Sequence, residues 1–232
     1  MAEKGSIWER IVELLSHLNP LAALERHPDP RHTTTFTIAV IALAAKIAKA
    51  DGQVTRDEVT TFREIFLIRP EDEARVAQVY NLLRQDAAHF EVYARQLRRL
   101  FEHDRSVLKD VLDALFAIAM ADGEFHPNEE AFLESVAAIF EVDAQCYAEM
   151  IARWVPDRWN PWEVLGVSPG ATDVEIRARY RELVRASHPD QLIAKGLPEE
   201  MVALATRRVA DINRAYDALR ARKPEGAASS AE

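Results

Sequence analysis

The segment TDVEIRARYRELVRASHPD, residues 172–190, contains the strongest local signals for the structure of the C-terminal part of the chain. It opens with a capping box, because Thr172 is followed three residues later by Glu175 and then by apolar residues at helical spacing. It ends where Pro189 pushes the preceding residue out of the helical region and fixes the direction of the chain beyond it. The stretch therefore predicts one amphipathic helix with a stiff polar loop at its end.

The predicted helix carries an arginine stripe, which consists of Arg177, Arg181 and Arg185 at every fourth position and which we expect to face solvent. A second long helix is predicted from about residue 198 onward, and its apolar side can pack antiparallel on the first. A short helix with Pro161 near its start precedes both. The predicted core of this unit is formed by Trp162, Leu165, Ile176, Tyr180, Leu183, Ile212 and Tyr216.

Upstream of this unit, the chain contains an internal repeat of two helical halves. The triplets Ala50-Asp51-Gly52 and Ala121-Asp122-Gly123 each end an apolar helix and precede an acidic one, at an offset of 71 residues. The helix predicted over 35–50 is unusually apolar, so we expect it in the centre of a bundle. Only 7 Gly and 11 Pro occur among 232 residues, and long stretches are rich in Ala, Leu, Glu and Arg. The chain is therefore predicted to be all-α.

The two Asp-Gly turns raise the question of a metal site. Asp51 and Asp122 are followed seven residues later by Glu58 and Glu129, as in the second half of a calcium loop. The first and third ligand positions of such a loop would fall on residues without a side-chain oxygen, so a standard calcium loop is excluded. We interpret the turns as local structure, with the glutamates near helix N-termini where the dipole favours negative charge. A composite metal site of all four residues is the alternative.

Composition narrows the class of protein. The net charge of −9 comes from the part of the chain before residue 160, because 160–223 contains 11 Lys and Arg against 9 Asp and Glu. That balance predicts no nucleic-acid partner, although a nucleic-acid reader that uses the arginine stripe is a competing interpretation. The single cysteine, Cys146, excludes an internal disulfide and a multi-cysteine zinc site. No nucleophile–base pair, phosphate-binding Gly loop or His/Cys ligand cluster is found in the sequence, so neither enzyme activity nor a cofactor is predicted.

The start of the chain shows no targeting signal. Residues 1–20 mix Glu, Arg and Lys with apolar positions, unlike a secretory signal. The longest apolar run, residues 36–45, is too short to cross a bilayer core of about 30 Å. We therefore expect a cytoplasmic protein without a transmembrane segment. The apolar spacing within 6–18 predicts a packed or docking helix, which leaves a homodimer open.

The C-terminal unit resembles the J domain of the DnaJ family, in which a short Tyr- or Trp-Glu-Val-Leu-Gly-Val helix precedes a helical hairpin closed by His-Pro-Asp. The bundle over 33–153 resembles the TerB-like domain found in tellurite-resistance proteins and in the DjlA branch of J proteins. The resemblance implies a co-chaperone that docks on a DnaK-type chaperone and triggers its ATP hydrolysis, with the TerB-like domain binding a client or a targeting protein. The residues implied in docking are His188, Pro189, Asp190, Arg177, Arg181 and Arg185.

The sequence also departs from the family pattern. Glu182 and Gln191 stand where many J domains carry a base, which predicts weaker or partner-selective docking. Trp162 replaces the usual Tyr and is expected to pack. A second His-Pro-Asp at residues 27–29 is interpreted as a plain loop, because no basic stripe precedes it. The alternative function is a TerB-like stress or metal-response scaffold with an inactive J-like module.

These patterns together predict the organisation of the chain. Short, Pro-containing breaks separate the units, so the two domains are expected to sit close together. The predicted units are an N-terminal helix and linker over 1–30, a TerB-like domain over 31–155, a J domain over 160–223 and a disordered tail over 224–232.

Overall fold

The computed structural model describes residues 34–48, 56–65, 73–85, 89–188 and 202–221. Within these ranges every regular element is a helix, and this confirms the predicted all-α class. The predicted helix over 6–18 and the tail over 224–232 lie outside the described residues. The helices are α1 (Thr34–Ile47), α2 (Arg56–Ile65), α3 (Glu73–Gln85), α4 (Phe90–Leu100), α5 (Arg105–Ala119), α6 (Pro127–Ile139), α7 (Ala144–Trp154), α8 (Pro161–Val164), α9 (Asp173–Ala186) and α10 (Val202–Ala221), with a 3₁₀ turn at Pro156–Arg158.

Helix α1 forms the centre of the first bundle. Lys46 is its single charged residue, and the other side chains that are described along it are buried. The helix packs against α3, α4 and α5, so apolar neighbours surround it. A helix that is apolar all round is stable in water only when its whole surface is covered. Each Å² of apolar surface that is buried stabilises the fold by roughly 25 cal/mol. The prediction of a central helix is confirmed.

The second half of the repeat joins α5 to α6 through a tight turn. Gly123 adopts φ +86°, a left-handed conformation that glycine adopts without steric cost. The Asp122 carboxylate accepts a hydrogen bond from the Glu124 amide at 3.0 Å and closes the turn. Helix α6 then opens with a capping box in which the His126 amide donates to Glu129 Oε2 at 3.0 Å. Local hydrogen bonding therefore accounts for both acidic residues in this half.

Helices α8, α9 and α10 form a second unit with its own apolar cluster. Three of the seven predicted core residues are buried in this cluster, and the other four are partly buried and pack against it. The buried ones are Leu165, Ile176 and Ile212, and the partly buried ones are Trp162, Tyr180, Leu183 and Tyr216. Tyr180 stacks on Tyr216 with ring centroids 4.1 Å apart, which fixes α9 against α10. Ala152 of α7 also belongs to the cluster, so the core extends onto the first bundle.

No helix within the described part of the chain is long and apolar enough to cross a membrane.

Candidate functional site

Helix α9 begins where the capping box predicts. Thr172 Oγ1 accepts a hydrogen bond from the Glu175 amide at 3.3 Å, and Glu175 Oε2 accepts one from the Thr172 amide at 2.7 Å. These bonds satisfy amide groups that the first turn of a helix leaves unpaired. The backbone and side-chain hydrogen bonds from Thr172 also lower the pKa of Glu175. The sequence therefore fixes the start of α9 locally.

The arginine stripe lies on the outer surface of α9. Arg177, Arg181 and Arg185 are all exposed, while Ile176 on the opposite side is buried. Tyr180 lies between the two faces, and its hydroxyl donates to Asn213 Oδ1 of α10 at 2.9 Å. This bond and the Tyr180–Tyr216 stack set the rotation of α9 about its own axis. The three guanidinium groups are thus presented on a rigid surface.

The C-terminal end of α9 brings part of the stripe next to the loop residue His188. Ser187 is buried and its amide donates to the Leu183 carbonyl at 2.9 Å, whereas His188 is exposed. Tyr180, Val184, Arg181, Arg185 and His188 line one surface groove. The structure therefore joins three of the six predicted docking residues in a single concave surface. Arg177 lies one turn further up the helix, and Pro189 and Asp190 lie outside the described residues.

Glu182 has a definite partner in this structure. Its carboxylate pairs with the Arg179 guanidinium at 3.0 Å, and that guanidinium also lies 3.5 Å from Glu149 of α7. Arg179 Nε donates to the Leu165 carbonyl at 3.2 Å. Burial raises the pKa of Glu149, and the nearby Arg179 opposes that rise. The acidic departure in α9 therefore sits beside a contact between the two units rather than within the arginine stripe.

Gly166, which follows α8, lies beside the contact between Arg179 and Glu149, and a glycine is required there. Its φ of +61° is left-handed, and a Cβ on it would lie 2.1 Å from Glu149 Oε1.

We expect Gly166→Ala to destabilise the chain by about 1–2 kcal/mol, because alanine is strained in the left-handed conformation and its Cβ displaces the Glu149 carboxylate from Arg179. Urea unfolding of the full chain measures this. Gly170→Ala is the matched control, since a Cβ there meets nothing within 4 Å, and an equal loss in both variants would contradict the explanation.

One polar cluster in the structure is not predicted by the sequence patterns above. Asp110 and Asp113 of α5 are buried and contact Arg208 of α10, so they join the first bundle to the second unit. Asp110 and Asp113 stand one turn apart and are the only acids in the mostly apolar α5, and this pattern is a signal of a buried charge partner. A further signal was an arginine between the apolar positions Ala205 and Ile212 of α10.

Two of the four acidic side chains of the alternative composite metal site, those of Asp122 and Glu129, belong to the described residues. Asp122 and Glu129 hold the turn and the helix start described above. Asp51 and the side chain of Glu58 lie outside the described residues. Within the described ranges, no three His, Cys, Asp or Glu side chains are placed to hold a metal ion together.

Comparison with known proteins finds two families that match separate parts of the chain. Residues 37–152 match the family described as Tellurite resistance protein TerB, and residues 160–225 match the DnaJ domain. Proteins named "Co-chaperone protein DjlA" are 26% identical in Shewanella oneidensis and 28% identical in Photobacterium profundum, in both cases over 81% of this chain and 78% of theirs. The relative of that name in Coxiella burnetii is 27% identical over 75% of this chain and 72% of its own length. No solved structure matches.

The protein is therefore a two-domain helical protein, in which a bundle with an internal sequence repeat precedes a J domain. The TerB match covers half of the chain, and the chain belongs to the TerB family, with a DnaJ domain following the TerB domain. The predicted resemblance to the DjlA branch is thereby confirmed.

Proposed function

We propose that the protein is a DjlA-like co-chaperone that binds a DnaK-type chaperone through its J domain and stimulates ATP hydrolysis by that chaperone. The observation that carries the proposal is the exposed arginine stripe of α9, which runs into a groove ending at His188. A DnaJ domain match over this region and relatives named as co-chaperones support it. The chain would carry out no bond chemistry itself, because the ATP is bound and cleaved by the partner.

The chemistry of the stripe indicates how docking would proceed. Guanidinium groups stay charged at every physiological pH and bind carboxylates through two parallel hydrogen bonds. Exposed charges of this kind raise the rate and set the orientation of association more than they raise affinity. His188 and the apolar side chains of Tyr180 and Val184 would add short-range contacts in the groove once the partner has arrived. The partner surface should therefore be acidic with an apolar centre.

The TerB domain is proposed as the targeting or interaction module. It has its own large apolar core, which includes α1 and α5, and its described residues supply none of the arginine stripe. A second folded body attached to a J domain can hold a client or place the J domain at a particular partner. The alternative function, a TerB-like scaffold with an inactive J-like module, differs from this proposal in one measurable respect: it predicts no stimulation of a DnaK-type ATPase.

Charge reversal in the stripe tests the proposal. We expect Arg181→Glu to raise the concentration of full chain that gives half-maximal ATPase stimulation by about tenfold, because a repelling carboxylate replaces an attractive cation at the groove. The effect should shrink as salt is raised to about 1 M, where the Debye length falls to about 3 Å. Steady-state ATPase assays over a concentration series measure it.

Arg99→Glu is the matched control for this test, since Arg99 is an exposed arginine on α4 of the TerB domain. The control should stimulate like the wild-type chain at each salt concentration. Equal curves for Arg181→Glu and the wild type, or an absence of stimulation by the wild type, would overturn the proposed docking surface.

A further inference from the structure

We propose that Asp113 of the TerB domain is a positioning residue, which clamps α10 through Arg208 and thereby fixes the direction in which the J domain presents its arginine stripe. The proposal rests on the proposed function, because it concerns how that docking surface is held. It assigns to the TerB domain a second task besides binding a client or target. The task is to hold the J domain as part of one rigid body.

The Asp113 carboxylate is fully enclosed by cationic and N–H donors from two helices. Asp113 is 0% exposed, and its Oδ2 accepts from Arg208 Nε at 3.1 Å and from Arg208 Nη2 at 2.8 Å. Its Oδ1 accepts from Trp154 Nε1 at 2.7 Å and from the Arg153 guanidinium. Asp113 thus ties α5 both to α7 of its own domain and to α10 of the J domain.

The geometry at Arg208 fixes orientation as well as contact. Its Nη1 lies 2.7 Å from Asp110 Oδ1, so one planar guanidinium spans two carboxylates that stand one turn apart on α5. A guanidinium presents its donors in a rigid fork, so binding at three nitrogens defines both the position and the rotation of α10. A lysine ammonium in the same place would supply a charge without that directional constraint.

Apolar and aromatic contacts seal the cluster from water. Leu204 and Ala205 of α10 are buried in the apolar core of the TerB domain. Arg207 lies over the ring of Trp154 at 4.2 Å, on the edge of the same cluster. A buried ion pair is directional, and breaking it costs free energy, because water cannot solvate either charge once the partner is removed. The N-terminal part of α10 is therefore held by the TerB domain and not by the J domain alone.

The position of α10 is transmitted to the stripe by direct contacts. Tyr216 and Asn213 of α10 hold Tyr180 of α9, which sits between the buried side of α9 and the arginine stripe. A second attachment lies on α9 itself, where Arg179 approaches Glu149 of α7. A chaperone that covers the stripe would accordingly border α7 of the TerB domain. A fixed orientation removes the entropic cost of ordering two loosely joined domains during docking.

Distances between the domains test the clamp. In the full chain, Cys146 is replaced by alanine, and spin labels are attached to cysteines introduced at two exposed positions, Arg99→Cys on α4 and Asp217→Cys on α10. Pulsed electron paramagnetic resonance then gives the distribution of distances between the two labels. The wild-type clamp should give one narrow distribution, whereas Asp113→Asn and Arg208→Lys should each broaden it. Arg220→Lys, on the exposed side of α10, is the control and should leave the distribution narrow. If the Asp113–Arg208 ion pair only stabilised the fold, folded molecules of the two variants would keep the wild-type distance distribution, and that result would overturn the proposal.

ATPase assays with the same clamp variants, without labels, supply the functional arm. They are run at a temperature where circular dichroism shows each variant fully folded. We expect Asp113→Asn and Arg208→Lys to raise the half-maximal concentration roughly three- to tenfold with an unchanged maximum, because the stripe itself stays intact. Curves that coincide with the wild type would overturn the positioning role. If the wild type fails to stimulate, the proposed function fails, while the distance measurement still decides whether the clamp orients the J domain.

Discussion

Replacing Asp190 with asparagine is expected to abolish the stimulation of a DnaK-type ATPase, leaving less than about one tenth of the wild-type increase. The residue follows His188 and Pro189 in the sequence, and His188 lines a groove together with Arg181 and Arg185. A carboxylate on a proline-stiffened loop can pair with a basic group of the partner, and loss of one member of a desolvated pair costs about 2–5 kcal/mol. Steady-state ATPase rates with the full chain measure the effect.

The chain supplies its own control for this prediction. Asp29→Asn alters the other His-Pro-Asp triplet, at residues 27–29, with the same chemical change. That triplet follows a segment without an arginine stripe, so the variant should stimulate like the wild type. Stimulation by Asp190→Asn at the wild-type level would show that the loop after α9 is not the trigger. Loss of stimulation in Asp29→Asn would show that the effect of the substitution is not specific to that loop.

Removal of the buried Asp113 carboxylate is expected to destabilise the full chain by about 3–5 kcal/mol. Asp113→Ala leaves the Arg153 and Arg208 guanidinium groups without their shared partner in a site that solvent barely reaches. It also removes the acceptor for Trp154 Nε1. Urea unfolding followed by circular dichroism gives the free energy. The control, Asp217→Ala at an exposed position of α10, should change it by less than about 0.5 kcal/mol.

The pH dependence of this loss follows from the charges around Asp113. Burial opposes ionisation of the carboxyl, but the positive charges of Arg153 and Arg208 and the hydrogen bonds from Trp154 and Arg208 hold its pKa well below the usual range. A group whose pKa is lowered by folding adds stability above its unfolded pKa of about 3.9, and that stability is lost as the pH falls toward the folded value. The difference between Asp113→Ala and the wild type should therefore stay constant from pH 7 to pH 5 and shrink only below about pH 4. A difference that shrinks between pH 7 and pH 5 would contradict this assignment.

Local patterns made much of the fold predictable. The helix predicted over 35–50 is found as Thr34–Ile47, because an apolar run of that length can only be buried as a central helix. The capping box at Thr172 fixes the start of α9, and its arginine stripe is exposed. Each of these signals involves residues within about one or two turns of each other. The helix period and the capping residues carry such information without reference to the rest of the chain.

The contact between the domains was not predictable in the same way. Arg208 and Asp113 are 95 residues apart in sequence, and no local pattern indicates which buried acid meets which buried base. The paired acids of α5 show that some cation must reach them, but helix periodicity does not identify it. The role of Glu182 was missed for a related reason, since its partner Arg179 also belongs to an interdomain contact with Glu149. Long-range pairing of charges required the structure.

Stimulation of ATP cleavage by the J domain can be followed in a single turnover. A DnaK-type chaperone is loaded with labelled ATP, freed of excess nucleotide and mixed with increasing concentrations of the full chain, and the first-order rate of ATP cleavage is followed. We expect a rate that rises with concentration to a plateau at least about tenfold above the rate of the chaperone alone, equivalent to about 1.4 kcal/mol or more off the activation barrier. A rate that stays at the basal value at every concentration of the wild-type chain would show that the chain does not stimulate the ATPase.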